Sequence, residues 1–174
     1  MHYTQALHRA VLQHPDKLAV RGGNVMQSDW NQPERTAAVI RDGWLHTGDG
    51  AYMDDDGFIF MVDRVKDMII SGGENVYSAA VENVVAQHAA VAACAVIGVS
   101  NADWGESLHA VVALKPDQTV TAQDLIAHCK ALIAGYKCPR IDEFVHVLPL
   151  PGAGKVLKTR LREPYWKGHG RNVA

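Results

Sequence analysis

The chain has 174 residues, of which 48% are hydrophobic and 21% are charged, and its net charge is −2. This length and balance are typical of a globular protein of ordinary domain size and argue against intrinsic disorder. The small net charge, without a block of like-signed residues, excludes nucleic acid as an expected partner. No apolar run approaches the ~20 residues of a membrane span, and no signal peptide begins the chain. We therefore expect a cytoplasmic protein.

The first predicted elements are a helix and a short strand. Thr4 to His14 places Ala6, Leu7, Ala10 and Val11 on one helical face, and Pro15 ends the helix. Leu18 to Val20 follow as a strand.

Two apolar segments farther along predict a β-ribbon. These are Ala51 to Met53 and Phe58 to Val62, joined at Asp54 to Gly57. The acidic run at the joint resembles a calcium loop, but Phe58 holds a ligand position and no glutamate closes the frame. We interpret the run as a hairpin turn. Because the ribbon has apolar positions on both faces, we expect it to be covered, and a homodimer is one way to cover it.

The run Asp63 to Val76, DRVKDMIISGGENV, combines a charged turn, a short strand and two adjacent glycines. Met68 to Ile70 is too short for a helix and rich in branched residues, which indicates a strand. Gly72 and Gly73 can adopt positive φ or let a ligand approach the main chain closely. A hairpin turn at a solvated sheet edge is the alternative interpretation.

The second half of the chain predicts a compact α+β unit. A helix from about Ser78 to His88 comes first, with Val81, Val84 and Val85 along one side. The nearly continuous apolar run Val91 to Val99 favours a central strand covered by helices.

A second strand, Leu108 to Leu114, stops before Pro116. Thr121 and Asp124 predict a capping box for the next helix, which we expect Gly135 to end. Phe144 to Val147 supplies a third strand. The predicted fold is a three-stranded sheet with two helices on one side.

Neither the cysteines nor the histidines have metal-ligand spacing. Cys94, Cys129 and Cys138 lie in apolar or proline-flanked settings, which favours reduced, buried thiols. The nine histidines include no HExxH pair, so we predict no metal site.

Four motifs together carry a resemblance to a known family. They are WLHTGD (Trp44 to Asp49), the DRVKDMIISGGENV run, YKCPR (Tyr136 to Arg140) and LPLPGAGKVLK (Leu148 to Lys158). In order and spacing they resemble the C-terminal part of acyl-CoA synthetases, the fatty-acid–CoA ligase branch of the adenylate-forming enzymes.

The resemblance implies a division of the chain into three parts. Residues 1–22 resemble the start of the ligase N-terminal domain, residues 23–63 resemble its end with the β-ribbon, and residues 64–174 resemble the small C-terminal lid domain. The several hundred residues expected between the first two parts are missing near Arg21 to Gly23. The phosphate loop, adenine pocket and acyl tunnel of such ligases belong to that missing portion.

Asp49, Arg64 and Lys66 gain expected roles from the resemblance. Alone, Asp49 is a turn residue, but the family uses this aspartate on the nucleotide ribose, where a carboxylate can accept two hydroxyl hydrogen bonds. Arg64, otherwise a surface cation, resembles the arginine that touches ribose or phosphate. Lys66 falls at the family's hinge, and a solvated edge lysine is its alternative interpretation.

The resemblance also implies roles for the glycine pair and for Lys155. Gly72 and Gly73 would line the entry for the pantetheine arm of CoA. Lys155 would bridge the attacking carboxylate and the α-phosphate of ATP, although one more exposed lysine, like Lys158 and Lys167, is the alternative. A Walker loop at Gly152 to Lys155 is excluded, because Pro149 and Val156 stand at its required positions.

The implied parent reaction is activation of a carboxylic acid by ATP, with Mg²⁺, to acyl-AMP, followed by transfer of the acyl group to CoA. We expect the isolated chain not to complete it, and to hold no cofactor tightly. The alternative is a non-catalytic remnant or interaction module, in which the chain is not an enzyme by itself. The acyl substrate cannot be predicted, since its pocket belongs to the missing portion.

Overall fold

The structure is a computed structural model that describes residues 17–150 and 155–167. It divides into two compact units, Met1–Lys66 and Asp67–Ala174, and only their described residues are considered below. The helix predicted at Thr4 to His14 lies outside the described residues. Among the helices that are described, none has the length and apolar character needed to cross a membrane.

The first unit contains a small antiparallel sheet and a separate ribbon. Strand β3 lies between β1 and β2, while β4 pairs with β5. The predicted ribbon and its turn are confirmed, and Asp54 accepts a 2.8 Å hydrogen bond from the Phe58 amide in that turn. The elements are β1 (Ala19–Val20), α1 (Pro33–Val39), β2 (Ile40–Arg41), β3 (Trp44–His46), β4 (Asp49–Met53) and β5 (Ile59–Arg64).

The second unit is an α+β domain, as the sequence predicts, but its sheet has five strands and not three, because the hairpin at Gly72 and Gly73 joins the sheet through Ser71 and Gly105. A 3₁₀ turn, Val65–Asp67, leads from β5 into a five-stranded sheet with three helices. The elements are β6 (Ile69–Ser71), β7 (Glu74–Val76), α2 (Ser78–Ala86), β8 (Val91–Asn101), β9 (Gly105–Leu114), α3 (Ala122–Leu132), β10 (Arg140–Val145) and α4 (Lys158–Trp166).

The central strand of this sheet is β9, and the prediction of a central strand at Val91 to Val99 is wrong. Strand β8 pairs only with β9, which on its other side pairs with β10 and β6. The run is apolar because helices cover both of its faces, and burial of two faces does not require a strand on both edges. Its free edge is capped by side chains: Glu82 accepts from the Val96 amide at 2.7 Å, and Trp166 donates to the Gly98 carbonyl at 3.1 Å.

Helices lie on both faces of the sheet. The prediction of helices on one side holds for α2 and α3, which pack against one face around Val96 and Val112. Helix α4 covers the opposite face, where Leu161 packs with Ala95 and Val111. Neighbouring residues of β8 and β9 therefore serve two different cores, as the alternation of a strand requires.

The two ends of helix α3 were predicted with different success. The capping box is confirmed: the Asp124 amide donates to the Thr121 hydroxyl oxygen at 3.2 Å, and the Thr121 amide donates back to the Asp124 carboxylate. The helix ends at Leu132, before the predicted Gly135, which instead begins a 3₁₀ turn.

All three cysteines are free, with Cys129 buried and Cys94 and Cys138 partly buried. Burial, and next the neighbouring Glu82 carboxylate, raise the pKa of the Cys94 thiol from 9.0 to about 12. Because the thiolate is the nucleophile, Cys94 is expected to be inert at neutral pH.

We expect this thiol to make stability fall at alkaline pH. Above pH 9.0 the unfolded thiol ionises while the native thiol stays protonated, so its contribution is complete below pH 9.0 and is lost toward pH 12. Urea unfolding between pH 8 and 10.5 measures the slope, and Cys94→Ala is the control that should make it smaller, with the remainder coming from Cys129 and Cys138, whose pKa values burial also raises. Rapid alkylation of native Cys94 by iodoacetamide at pH 8 would contradict the assignment.

Candidate functional site

Asp49 and Arg64 are brought together by the ribbon. They are opposite one another in the register of β4 and β5, at the end of the ribbon away from its turn. Arg64 Nε lies 3.5 Å from Asp49 Oδ1, and the two side chains are 52% and 24% exposed. A carboxylate and a guanidinium thus stand side by side at a solvent-accessible place. Such a pair can bind a diol and an anion at once.

The backbone before Asp49 is fixed by hydrogen bonds. The Thr47 hydroxyl donates to the Leu18 carbonyl at 3.0 Å and accepts from the Asp49 amide at 3.1 Å. Gly48, between them, has φ +77, and its carbonyl accepts from the Val65 amide at 2.9 Å. Since few side chains tolerate that φ, the Thr-Gly-Asp order follows from the conformation of the turn.

Lys66 is the last residue of the first unit. It is exposed within the 3₁₀ turn Val65–Asp67, directly before the boundary between the two units. The role of Lys66 as a hinge stays a prediction.

Gly72 and Gly73 form the turn of the β6–β7 hairpin. Ser71 pairs with Glu74, so the loop has two residues, with φ +59 and +85. Two consecutive positive φ values are those of a type I′ turn, which explains the double glycine locally. The alternative interpretation, a hairpin turn, is therefore confirmed. Both glycines are also exposed, so a ligand could reach their main chain.

The β8–β9 turn holds this glycine hairpin in place. The Gly72 amide donates to the Trp104 carbonyl at 3.0 Å, and the Ile70 amide donates to the Glu106 carboxylate at 2.8 Å. A Cβ at Gly72 would lie 2.7 Å from the Trp104 ring, whereas one at Gly73 would meet no atom within 4 Å. No local sequence pattern marks Trp104 or Glu106, because their partners Gly72 and Ile70 lie far away in the chain.

Lys155 is exposed at a bend before α4. Two residues farther along, the Leu157 amide donates to the Pro149 carbonyl at 3.1 Å. Val156 packs against the cluster around Leu148. Lys155 is therefore exposed to solvent directly before Val156 and Leu157, which are held by packing and by a hydrogen bond.

Lys158 is not the exposed lysine that the sequence suggests. Its Nζ lies 2.8 Å from Glu82 Oε1 and donates to the Ser78 hydroxyl at 2.6 Å, and its side chain is only 15% exposed. The first residue of α4 is thereby attached to α2.

No cluster of three or more histidine, cysteine, aspartate or glutamate side chains that could hold a metal ion occurs within residues 17–150 and 155–167.

Comparison with known proteins identifies the family. The AMP-binding enzyme C-terminal domain matches residues 80–155. The solved o-succinylbenzoate CoA synthetase (MenE) of Bacillus subtilis, in complex with its acyl-adenylate intermediate, superimposes with a TM-score of 0.78 at 40% identity. That superposition covers 83% of this chain and 30% of MenE. The chain contains an AMP-binding enzyme C-terminal domain.

Two curated proteins that act on CoA esters by name, a synthase and a ligase, are also similar to this chain. A feruloyl-CoA synthase from an Amycolatopsis species is 48% identical over 149 residues, which are 86% of this chain and 30% of that protein. The long-chain-fatty-acid–CoA ligase of Bacillus subtilis (strain 168) is 42% identical over 153 residues, which are 88% of this chain and 27% of the ligase. The chain thus spans about a third or less of the length of these curated relatives.

The matched AMP-binding C-terminal domain begins within α2 and ends at Lys155. Asp49 and Arg64 lie in the first unit, while Gly72, Gly73 and Lys155 belong to the second. The sequence analysis missed the residues that anchor α4, namely Asp67, Glu82, Lys158 and Arg162. Their partners are far away in the chain, so no local pattern marks them.

Proposed function

We propose that the chain supplies the catalytic-lid part of an acyl-CoA synthetase. In the complete reaction a carboxylate oxygen attacks the α-phosphorus of ATP and pyrophosphate leaves. The CoA thiol sulfur then attacks the acyl carbon, and AMP leaves as the thiol proton passes to solvent. The observation that carries the proposal is the exposed Lys155 just before α4, at the end of the matched AMP-binding enzyme C-terminal domain.

Lys155 is suited to the first step because that step brings two anions together. A cation and an anion separated by 4 Å attract by roughly 4 kcal/mol at the effective dielectric of a protein surface. An ammonium held between the carboxylate and the α-phosphate would therefore offset much of their repulsion. The proposed nucleotide carries Mg²⁺, which would neutralise part of the remaining phosphate charge.

Asp49 and Arg64 are proposed to hold the nucleotide. The carboxylate would accept hydrogen bonds from the ribose hydroxyls, and the neighbouring guanidinium would contact the ribose or the α-phosphate. Their in-register pairing on the ribbon supports a shared task, since it holds two complementary groups at one end of a short sheet. Thr47 fixes the backbone that carries Asp49.

Gly72 and Gly73 are proposed to face the pantetheine arm of CoA in the second step. Both glycines are exposed and lack side chains that would block a ligand. The hydrogen bonds from the Gly72 amide to Trp104 and from the Ile70 amide to Glu106 fix the position of the turn. Lys66 is proposed as the hinge that lets the second unit rotate between the two steps.

The isolated chain is expected to be inactive, because its 174 residues cover about a third or less of the relatives' length. ATP–pyrophosphate exchange measured with a panel of aromatic and fatty acids should stay at background. Intact Bacillus subtilis ligase is the positive control. Robust exchange that is lost in Lys155→Ala would show that the chain needs no further domain.

A dimeric interaction module is the second candidate. Aromatic side chains on the ribbon favour it, because Tyr52 and Phe60 stack at 5.0 Å and both are exposed. Sedimentation tests it directly, and a clean monomer at high protein concentration would exclude it.

A further inference from the structure

One side of α4 makes ion pairs with two separate elements. Lys158 and Arg162 are four residues apart and so project from the same side of the helix. Lys158 reaches Glu82 on α2, and Arg162 Nη1 lies 3.2 Å from Asp67 Oδ1. The Arg162 and Asp67 side chains are only 9% and 17% exposed. Because water reaches this pair poorly, leaving either charge without its partner is costly.

Asp67 occupies a special place in the chain. It is the first residue of the second unit and directly follows Lys66, the last residue of the first. The boundary between the two units therefore lies directly before Asp67, the residue that pairs with Arg162.

The partner of Asp67 is itself held firmly. Leu161 packs in the core beneath α4, Tyr165 donates to the Glu143 carboxylate at 3.1 Å, and Trp166 binds the Gly98 carbonyl. With Lys158 fixed as well, α4 is attached to the domain along its whole length. Asp67 is thus bound to a rigid body and not to a mobile side chain.

We propose that Arg162 is a positioning residue that pins Asp67 to α4 and thereby confines rotation between the two units to the backbone that precedes Asp67, at Lys66. Rotation about the Lys66 torsions moves Asp67, Arg162 and the domain together and keeps the ion pair. Rotation one residue later would separate Asp67 from α4 and break the pair. The inference rests on the proposed function only in that this function requires such a rotation.

The same helix links the pivot to the proposed catalytic lysine. Helix α4 begins at Lys158, three residues after Lys155, and contains Arg162 one turn later. Because Val156 between them packs in the core beneath α4, a rotation at Lys66 that carries α4 also carries Lys155.

Amide hydrogen exchange of the full chain tests the proposal. In Arg162→Met we expect exchange in peptides that cover Val65 to Ser71 to be about tenfold faster or more, because local opening then no longer breaks an ion pair. Strand β8 is the internal reference and should change little. Arg160→Met, an exposed arginine on the same helix, is the matched control and should leave both segments unchanged.

Two further variants separate positioning from general stability. Asp67→Asn removes the charge with almost no change in volume and should accelerate exchange in the same peptides, and Arg162→Lys should restore part of the protection. In the double variant Asp67→Asn/Arg162→Met the two effects should not add. Two results would overturn the proposal. One is an unchanged exchange rate in the peptides around Asp67. The other is an exchange rate in β8 that rises as much as the rate around Asp67 in both Arg162→Met and Asp67→Asn. Neither outcome bears on catalysis, so failure of the proposed function would be seen separately, in activity assays.

Discussion

Replacement of Lys155 by alanine is expected to abolish most of the adenylation activity of a chimeric ligase. In this chimera, residues 23–174 of the chain replace the corresponding C-terminal part of the Bacillus subtilis long-chain-fatty-acid–CoA ligase, which is 42% identical to the chain. The covalent link supplies the rest of the enzyme without requiring two separate proteins to associate. We expect Lys155→Ala to lower the rate of acid-dependent pyrophosphate exchange by about 10²- to 10³-fold. This is the usual effect of removing one preorganised hydrogen-bond donor that stabilises charge in the transition state.

The physical reason lies in where the charge acts. Lys155 is exposed, so alanine removes the charge without removing a buried contact. We therefore expect unfolding of the chimera to be unchanged while the rate constant of adenylation falls.

Lys167→Ala is the matched control, since Lys167 is also an exposed lysine of the C-terminal part of the chain. It should keep nearly full activity. An active chimera in which Lys155→Ala and Lys167→Ala behave alike would contradict the role proposed for Lys155. Thioester formation from supplied acyl-AMP, measured in the same variants, shows whether Lys155 acts in the first step alone.

Replacement of Glu82 by leucine is expected to lower the free energy of unfolding more than any other single substitution proposed for this chain. Glu82 Oε1 accepts from the Val96 amide at 2.7 Å and pairs with Lys158 Nζ at 2.8 Å. Leucine would leave the amide without an acceptor, at a cost of about 1–3 kcal/mol, and would leave a poorly solvated ammonium without its partner. The Glu82 side chain is still 22% exposed, so water can partly solvate the groups left behind. We therefore expect the free energy of unfolding to fall by about 3 kcal/mol, less than the lost hydrogen bond and the lost ion pair would cost if both were fully buried.

Urea unfolding measures this loss, and three variants test its cause. Glu82→Gln can keep the hydrogen bond from Val96 but not the charge, so it should cost less than leucine. Lys158→Met in the Glu82→Leu background should recover part of the stability by removing the unpaired cation. Glu163→Leu, at an exposed position of α4, should change stability by less than about 0.5 kcal/mol. Equal losses in Glu82→Leu and Glu163→Leu would refute the assignment.

Elements with local causes were predicted well from the sequence. The capping box of α3 depends on Thr121 and Asp124, three residues apart, and the β4–β5 turn depends on Asp54 and the residues up to Phe58. The glycine hairpin, the alternative interpretation of its segment, also has a local cause, because a two-residue turn with positive φ at both positions strongly favours glycine. In each case the interaction that forms the element is contained in the segment itself.

Helix α4 illustrates what local patterns cannot predict. It contains Pro164, which lacks an amide donor and argues against a helix. The anchors at Lys158, Arg162, Tyr165 and Trp166 outweigh that preference, but all four depend on partners in distant parts of the chain. The same limit explains the error on β8, since an apolar run reports burial of faces and not which edges are paired.

The sequence by itself determined the family, the α+β class and the candidate residues, because those depend on residue types at fixed spacing. It also placed Asp49 and Arg64 among the expected nucleotide-binding residues, but only the ribbon register showed that they are a pair. The tertiary structure alone decided that β9 is central, that helices cover both faces, and that Arg162 holds the residue next to the expected hinge. These features arise from contacts between distant segments, whose energies exist only once the chain has folded.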